Sequence, residues 1–245
     1  MKTFDCKTSG FSLVEMAIVL VIIGLLLGGM LMPLSAQMDQ RRISETQKAL
    51  DEINQALIGY AIVNRRFPRP ATSSTNGAEN PAACATQAAC SGFIPWATLG
   101  VTKLDSWGKI FRYSVTPNFA GGAAGTAAFT LDATVATKTV QTRDSAGALV
   151  YQVGQAVCSL TNQCVPVVVF SQGKNNWGTG DTGNAFADNS STNADEDANE
   201  ASSINFITRS ISEGTAAPGG EYFNLVSWLN LNTLFNRMVA AGRLP

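Results

Sequence analysis

Glu15 is the residue whose setting demands chemistry. It stands at the edge of an apolar run, Met16 to Leu34, that carries no charged side chain. At about 1.5 Å per helical residue the run extends roughly 28 Å, close to the hydrocarbon core of a bilayer. A charged side chain in lipid costs about 2.5–3.5 kcal/mol on insertion scales, so an acid in that position is read as functional and needs a positive partner. The run supplies none. A cut between Gly10 and Phe11 would create one, a new α-amino group four residues before Glu15.

The other reactive groups are fewer than the length suggests. Five cysteines are present: Cys6 precedes Gly10, leaving Cys84, Cys90, Cys158 and Cys164, each pair separated by five residues. An even count in an exported chain argues for disulfides. A zinc site would want tighter Cys-x2–4-Cys pairs. Four cysteines allow three connectivities. We expect the local one, 84–90 with 158–164, each closed loop contributing roughly 2–2.5 kcal/mol.

There is no histidine, which excludes Ser-His-Asp and Cys-His catalysis and any His-ligated metal within this chain. No pair of acids forms an active-site motif, and Ser171-Gln172-Gly173-Lys174 does not continue as a phosphate loop. We therefore expect no enzymatic activity and no cofactor. Gly180 to Glu200 contains Asp181, Asp188, Asp195, Glu196, Asp197 and Glu200 with no basic residue. Hard oxygen ligands on a loop suit calcium, which makes Asp195, Asp197 and Glu200 weak calcium candidates. A solvated acidic loop is the expected alternative. Asn189-Ser190-Ser191 is a glycosylation sequon by pattern only. A net charge of −1 with 14% charged residues leaves no basic face for nucleic acid.

The elements that must position Glu15 follow from periodicity. Residues 1–10 form a basic leader containing Lys2 and Lys7, expected to stay cytoplasmic. Residues 11–34 are a transmembrane helix, bent or loosened by Gly24, Gly28, Gly29 and Pro33. Ile43, Leu50, Ile53, Leu57 and Tyr60 then line one face, so 35–66 is an amphipathic continuation of the same helix. From Phe11 to about Asn64 such a helix is roughly 80 Å long. Pro68 and Pro70 end it, and 67–245 is the head. Ala71 to Ser91 reads as a Cys-tied loop with Trp96 in the core beyond it. Strands are expected over Ile110–Val115, Phe129–Val140, Ala148–Val153, Val165–Phe170 and Ile204–Ser212. A C-terminal helix carries Leu231, Leu234, Phe235 and Met238, N-capped by Asn230 or Asn232. The fold class is α+β: a long N-terminal helix packed on an antiparallel sheet with disulfide-closed loops.

A basic leader ending in Gly10, then Phe11-Ser12-Leu13-Val14-Glu15 and an aliphatic run, resembles the type IV pilin and pseudopilin superfamily over the first quarter of the chain. The resemblance implies cleavage after Gly10 by prepilin peptidase, N-methylation of Phe11, and assembly through Glu15 into a helical filament of like subunits. It implies a single-pass inner-membrane protein with a periplasmic head before assembly, served by an inner-membrane platform and ending in a filament that can reach the cell surface. Asp105-Ser106-Trp107-Gly108 and the strand after it resemble the Asp-Pro-Trp-Gly turn of the major pseudopilins of type II secretion, with Ser106 in place of Pro. Ser171-Gln172-Gly173 after a strand is similar to the same group, whose calcium loop is not matched residue for residue here. The expected function is that of a structural subunit of a type IV pilus-like filament. The alternative is a secretion pseudopilin, and a remote one is a membrane-anchored binding or enzymatic domain.

Overall fold

The computed structural model describes residues 10–125, 127–174, 178–188, 190–201 and 204–244, without the side chains of 27–34. The expected leader, apart from Gly10, lies outside the described residues, as does Asn189 of the sequon. The chain divides into two compact units, 1–42 and 43–245. Helix α1 spans Leu13–Asn64, 52 residues. Among the described residues no helix is long and apolar enough to cross a membrane; the span expected over 16–34 runs into the 27–34 stretch.

In the second unit α1 is held by one face. Leu50, Ile53, Leu57 and Ala61 are buried, with Ile43 at the margin of the same cluster. Two polar groups on the helix are also used. Asn54 Nδ2 donates to Ser227 Oγ (2.7 Å), and Thr46 Oγ1 accepts from the Ser106 N–H (3.2 Å). The helix stops where Arg65 takes a left-handed φ of 56° and the two prolines follow.

The elements after α1 run in order: β1 (Ser91–Phe93), α2 (Trp96–Leu99), β2 (Arg112–Val115), a 3-10 turn (Pro117–Ala120), β3 (Thr139–Arg143), β4 (Leu149–Val153), β5 (Val167–Ser171), β6 (Gly178–Thr179), β7 (Ala185–Phe186), α3 (Ala194–Glu200), β8 (Asn205–Ile207), β9 (Leu225–Trp228) and α4 (Leu231–Ala240). The main sheet is antiparallel in the order β1-β2-β5-β9, and a smaller sheet runs β4-β3-β8. Within the smaller sheet β3–β4 is antiparallel but β3–β8 is parallel, a departure from an all-antiparallel head.

All of β5 is buried, as its unbroken Val167–Phe170 run requires. Alternate residues serve two cores. Val167 and Val169 join the α1 cluster with Phe111, Tyr113 and Val115. Val168 and Phe170 join a second cluster with Val140, Val165 and Phe206. Asn230 caps α4 by accepting from the Asn232 N–H (2.9 Å), and Leu231, Leu234 and Met238 are buried.

Two expectations fail. The alternating stretch Phe129–Val140 is mostly loop, with strand only from Thr139. Phe129 stacks against Phe67 (6.0 Å) and tilts onto Phe119 (4.8 Å), while Thr134 Oγ1 accepts from the Thr130 N–H (2.9 Å). Aromatic packing and a local side-chain bond thus take the place of ladder pairing. The acidic stretch is not a solvated loop either. It holds β7 and α3, and Asp195, Glu196 and Asn199 are buried.

Candidate functional site

At the N-terminal end Gly10 and Phe11 are exposed and precede the helix. Ser12 caps it. The Ser12 N–H donates to Glu15 Oε2 (2.9 Å), and the Glu15 N–H donates to Ser12 Oγ (3.2 Å). This is a reciprocal capping box, in which two helix-terminal donors that have no partner within the helix are satisfied at once. Glu15 therefore also has a hydrogen-bond partner within its own first turn, beside the positive group that its setting calls for. The carboxylate also sits at the positive end of the helix dipole. The signal was in the sequence as Ser-x-x-Glu ahead of an apolar run.

Both local disulfides form: Cys84–Cys90 with Cα atoms 5.1 Å apart, and Cys158–Cys164 at 5.7 Å. In the first, both cysteines are buried, at 3% and 0% exposure. The second is flanked by Val157 at 73% and Leu160 at 44% exposure.

The two turns that sequence set apart are joined. Ser171 Oγ donates to Asp105 Oδ2 (2.6 Å) and accepts from the Gly173 N–H (3.0 Å). Asp105 Oδ1 closes its own turn by accepting from the N–H groups of Trp107 and Lys109 (both 2.9 Å). Burial pushes the Asp105 carboxyl up, against the opposing pull of these hydrogen bonds. Lys109 is buried beside it. Desolvation lowers its ammonium, while Asp105, Glu196 and Glu200 favour the charged form. Gly173, at φ 65°, is needed here, since a Cβ would lie 2.0 Å from the Phe223 carbonyl oxygen.

The calcium candidates are not brought together. Asp195 is taken up by two guanidiniums, Arg143 (Nη2–Oδ1 2.6 Å) and Arg209 (Nε–Oδ2 2.7 Å). Glu200 Oε1 accepts from Gln172 Nε2 (2.7 Å) and lies 3.7 Å from Arg112 Nε. Among the described residues no group of three or more His, Cys, Asp or Glu side chains is placed to hold a metal ion.

Residues 6–31 match the prokaryotic N-terminal methylation motif, the prepilin signature of type IV pilins and pseudopilins. The motif supports a type IV pilin-like or pseudopilin subunit, processed by prepilin peptidase and assembled with other pilin-like subunits. No curated protein and no solved structure matches the chain.

Proposed function

We propose that this chain is a structural, non-enzymatic subunit of a type IV pilus-like filament. The observation that carries the reading is the methylation motif over 6–31, with Glu15 placed in the first turn of α1. Prepilin peptidase cuts between Gly10 and Phe11, and the new Phe11 amine is methylated. The subunit waits in the bacterial inner membrane as a single-pass protein anchored by the apolar run, with its head in the periplasm. On assembly the Phe11 amine of one subunit pairs with Glu15 of a neighbour. A paired carboxylate avoids the desolvation penalty that a lone one carries in an apolar bundle. Glu15→Ala is expected to leave membrane insertion intact while abolishing incorporation into filaments; a normal filament yield overturns the role. Mass spectrometry of the chain from its native host is expected to give an N-terminus at methylated Phe11. Recovery of the intact Met1 form alone overturns processing.

A pseudopilin of a type II secretion system is the second reading. It is favoured by the junction of the two pseudopilin-like turns through Asp105 and Ser171. Deleting the chain separates the two: loss of surface fibres supports the first reading, and loss of protein export with fibres intact supports the second. No cofactor is needed in either.

A further inference from the structure

Asn76 is the only asparagine of the chain that precedes a glycine. The pair lies in the loop between α1 and β1, at the end of a turn over 74–76, with Asn76 exposed and Gly77 buried. The fold requires that glycine. Its φ of 65° is left-handed, and a Cβ there would lie 2.1 Å from the Trp96 ring. Its carbonyl accepts from the Ala97 N–H (3.0 Å), one of the donors at the start of α2 that have no partner within the helix. Two residues on, the Glu79 N–H donates to Thr98 Oγ1 (2.8 Å). Gly77 is thus fastened to α2 through its carbonyl and its bare Cα.

The peptide nitrogen that joins the pair is not fastened. Among the described residues no hydrogen bond reaches the Gly77 N–H, and the Asn76 carboxamide has no partner. The Asn76 N–H is held separately, by Ser73 Oγ (3.0 Å). Only the backbone carbonyl carbon, Cα and Cβ of Asn76 separate its Cγ from the Gly77 nitrogen, so contact between them closes a five-membered ring. An exposed side chain samples its rotamers within nanoseconds, and the two groups are held together by the chain itself. The same closure is hindered elsewhere. Asn80 precedes Pro81, which has no N–H, and each remaining asparagine precedes a residue whose side chain crowds the nitrogen.

We propose that Asn76 is a site of spontaneous covalent modification, at which the Gly77 nitrogen displaces ammonia and water then leaves aspartate or isoaspartate. In the first step the bond from the Gly77 nitrogen to Asn76 Cγ forms and the Cγ–Nδ2 bond breaks. The proton of the Gly77 nitrogen departs with the ammonia. In the second step water adds to one of the two imide carbonyls, its hydroxyl staying on carbon and a proton returning to the nitrogen. Opening at Cγ gives aspartate. Opening at the backbone carbonyl carries the chain through Cγ and gives isoaspartate. Both products add a negative charge to an exposed turn. Isoaspartate also lengthens the backbone by one carbon directly before Gly77. The glycine then cannot keep both its carbonyl on Ala97 and its Cα against Trp96, so the loop comes away from α2. The modification is independent of the N-terminal helix and of the filament reading.

The test incubates the full chain in detergent micelles at mildly alkaline pH and follows it by peptide mass mapping. A gain of one dalton confined to the peptide bearing Asn76 is expected, with labelling by an isoaspartate methyltransferase. Asn76→Gln is expected to show neither. Hydrogen exchange over 94–99 is expected to lose protection in the isoaspartate fraction and to keep it in Asn76→Asp, which carries the charge without the extra carbon. Asn76 that stays intact in the folded chain while it converts in urea overturns the proposal. So does faster conversion at another asparagine, or full protection over 94–99 in the isoaspartate fraction.

Discussion

The two disulfide loops have the same spacing and are anchored to different depths. Cys84–Cys90 lies in the main core, and the loop it closes is tied into the head by charged groups. Within it, Gln87 Oε1 accepts from Lys138 Nζ (2.5 Å), a lysine with no exposed surface. Upstream, Glu79 holds Arg66, Arg69 and the Tyr60 hydroxyl (2.6 Å). Cys158–Cys164 closes a loop that lacks charge entirely, sits over Gly154, and turns Val157 and Leu160 to solvent. Cys164 is itself buried, at 1% exposure, in the same core as Cys84 and Cys90, and Cys158 stands half-buried at its margin. One crosslink is buried at both ends; the other is anchored at one end and carries an uncharged loop into solvent.

That contrast is best broken at the cysteines. Replacing Cys84 and Cys90 by Ala is expected to cost about 4 kcal/mol, because loop closure and buried packing are lost together. Replacing Cys158 and Cys164 is expected to cost about 3 kcal/mol, loop closure together with the packing of Cys164 alone. Urea unfolding followed by tryptophan fluorescence measures both, and equal losses would erase the distinction.

Lys138 sharpens it next. Burial lowers its ammonium to about 8, from 10.5. The folded state thus binds that proton less tightly than the unfolded chain. The resulting penalty is full below pH 8 and disappears above pH 10.5. Stability from this group should rise by about 3 kcal/mol across that window, and Lys138→Met should remove the rise. Unfolding at pH 7.5 and pH 10 compares the two proteins.

Glu79 gives a smaller effect with the opposite sense in acid. Burial pushes its carboxyl up, but hydrogen bonds from Arg66 and Tyr60 win and hold it below the usual 4.5. Its contribution is present above pH 4.5 and is lost as the pH falls through the lowered folded value. Glu79→Gln is expected to cost about 2 kcal/mol at pH 7 and to flatten acid unfolding below pH 4.5. Beside the second loop, Val157→Ser should change stability by less than about 0.5 kcal/mol, since that residue is 73% exposed. A larger loss there would mean the protrusion is packed after all.

What could be read from the sequence depended on how far apart the partners lie. The buried face of α1, the central β5, the Asn230 cap and both cysteine pairings are local or periodic signals, and they were legible. The Ser12–Glu15 box is equally local, but it is masked by a second demand on the same carboxylate: Glu15 answers both the free N–H groups of the helix start and the need for a positive partner. Asp195 was illegible for another reason. Its partners Arg143 and Arg209 lie 52 and 14 residues away in sequence, so a run of acids looked solvated when one of them is buried between two guanidiniums. Phe129 misled by alternation: its true neighbours Phe67, Phe119 and Phe235 come from three separate segments.

Asn199 does for the smaller sheet what a capping side chain does for a helix end. Its carboxamide fills the outward N–H and carbonyl of Ile207, so that end of the ladder is closed without another strand. Asn199→Ala would therefore free the Ile207 N–H for any extended segment that meets it, visible as aggregate that grows with concentration.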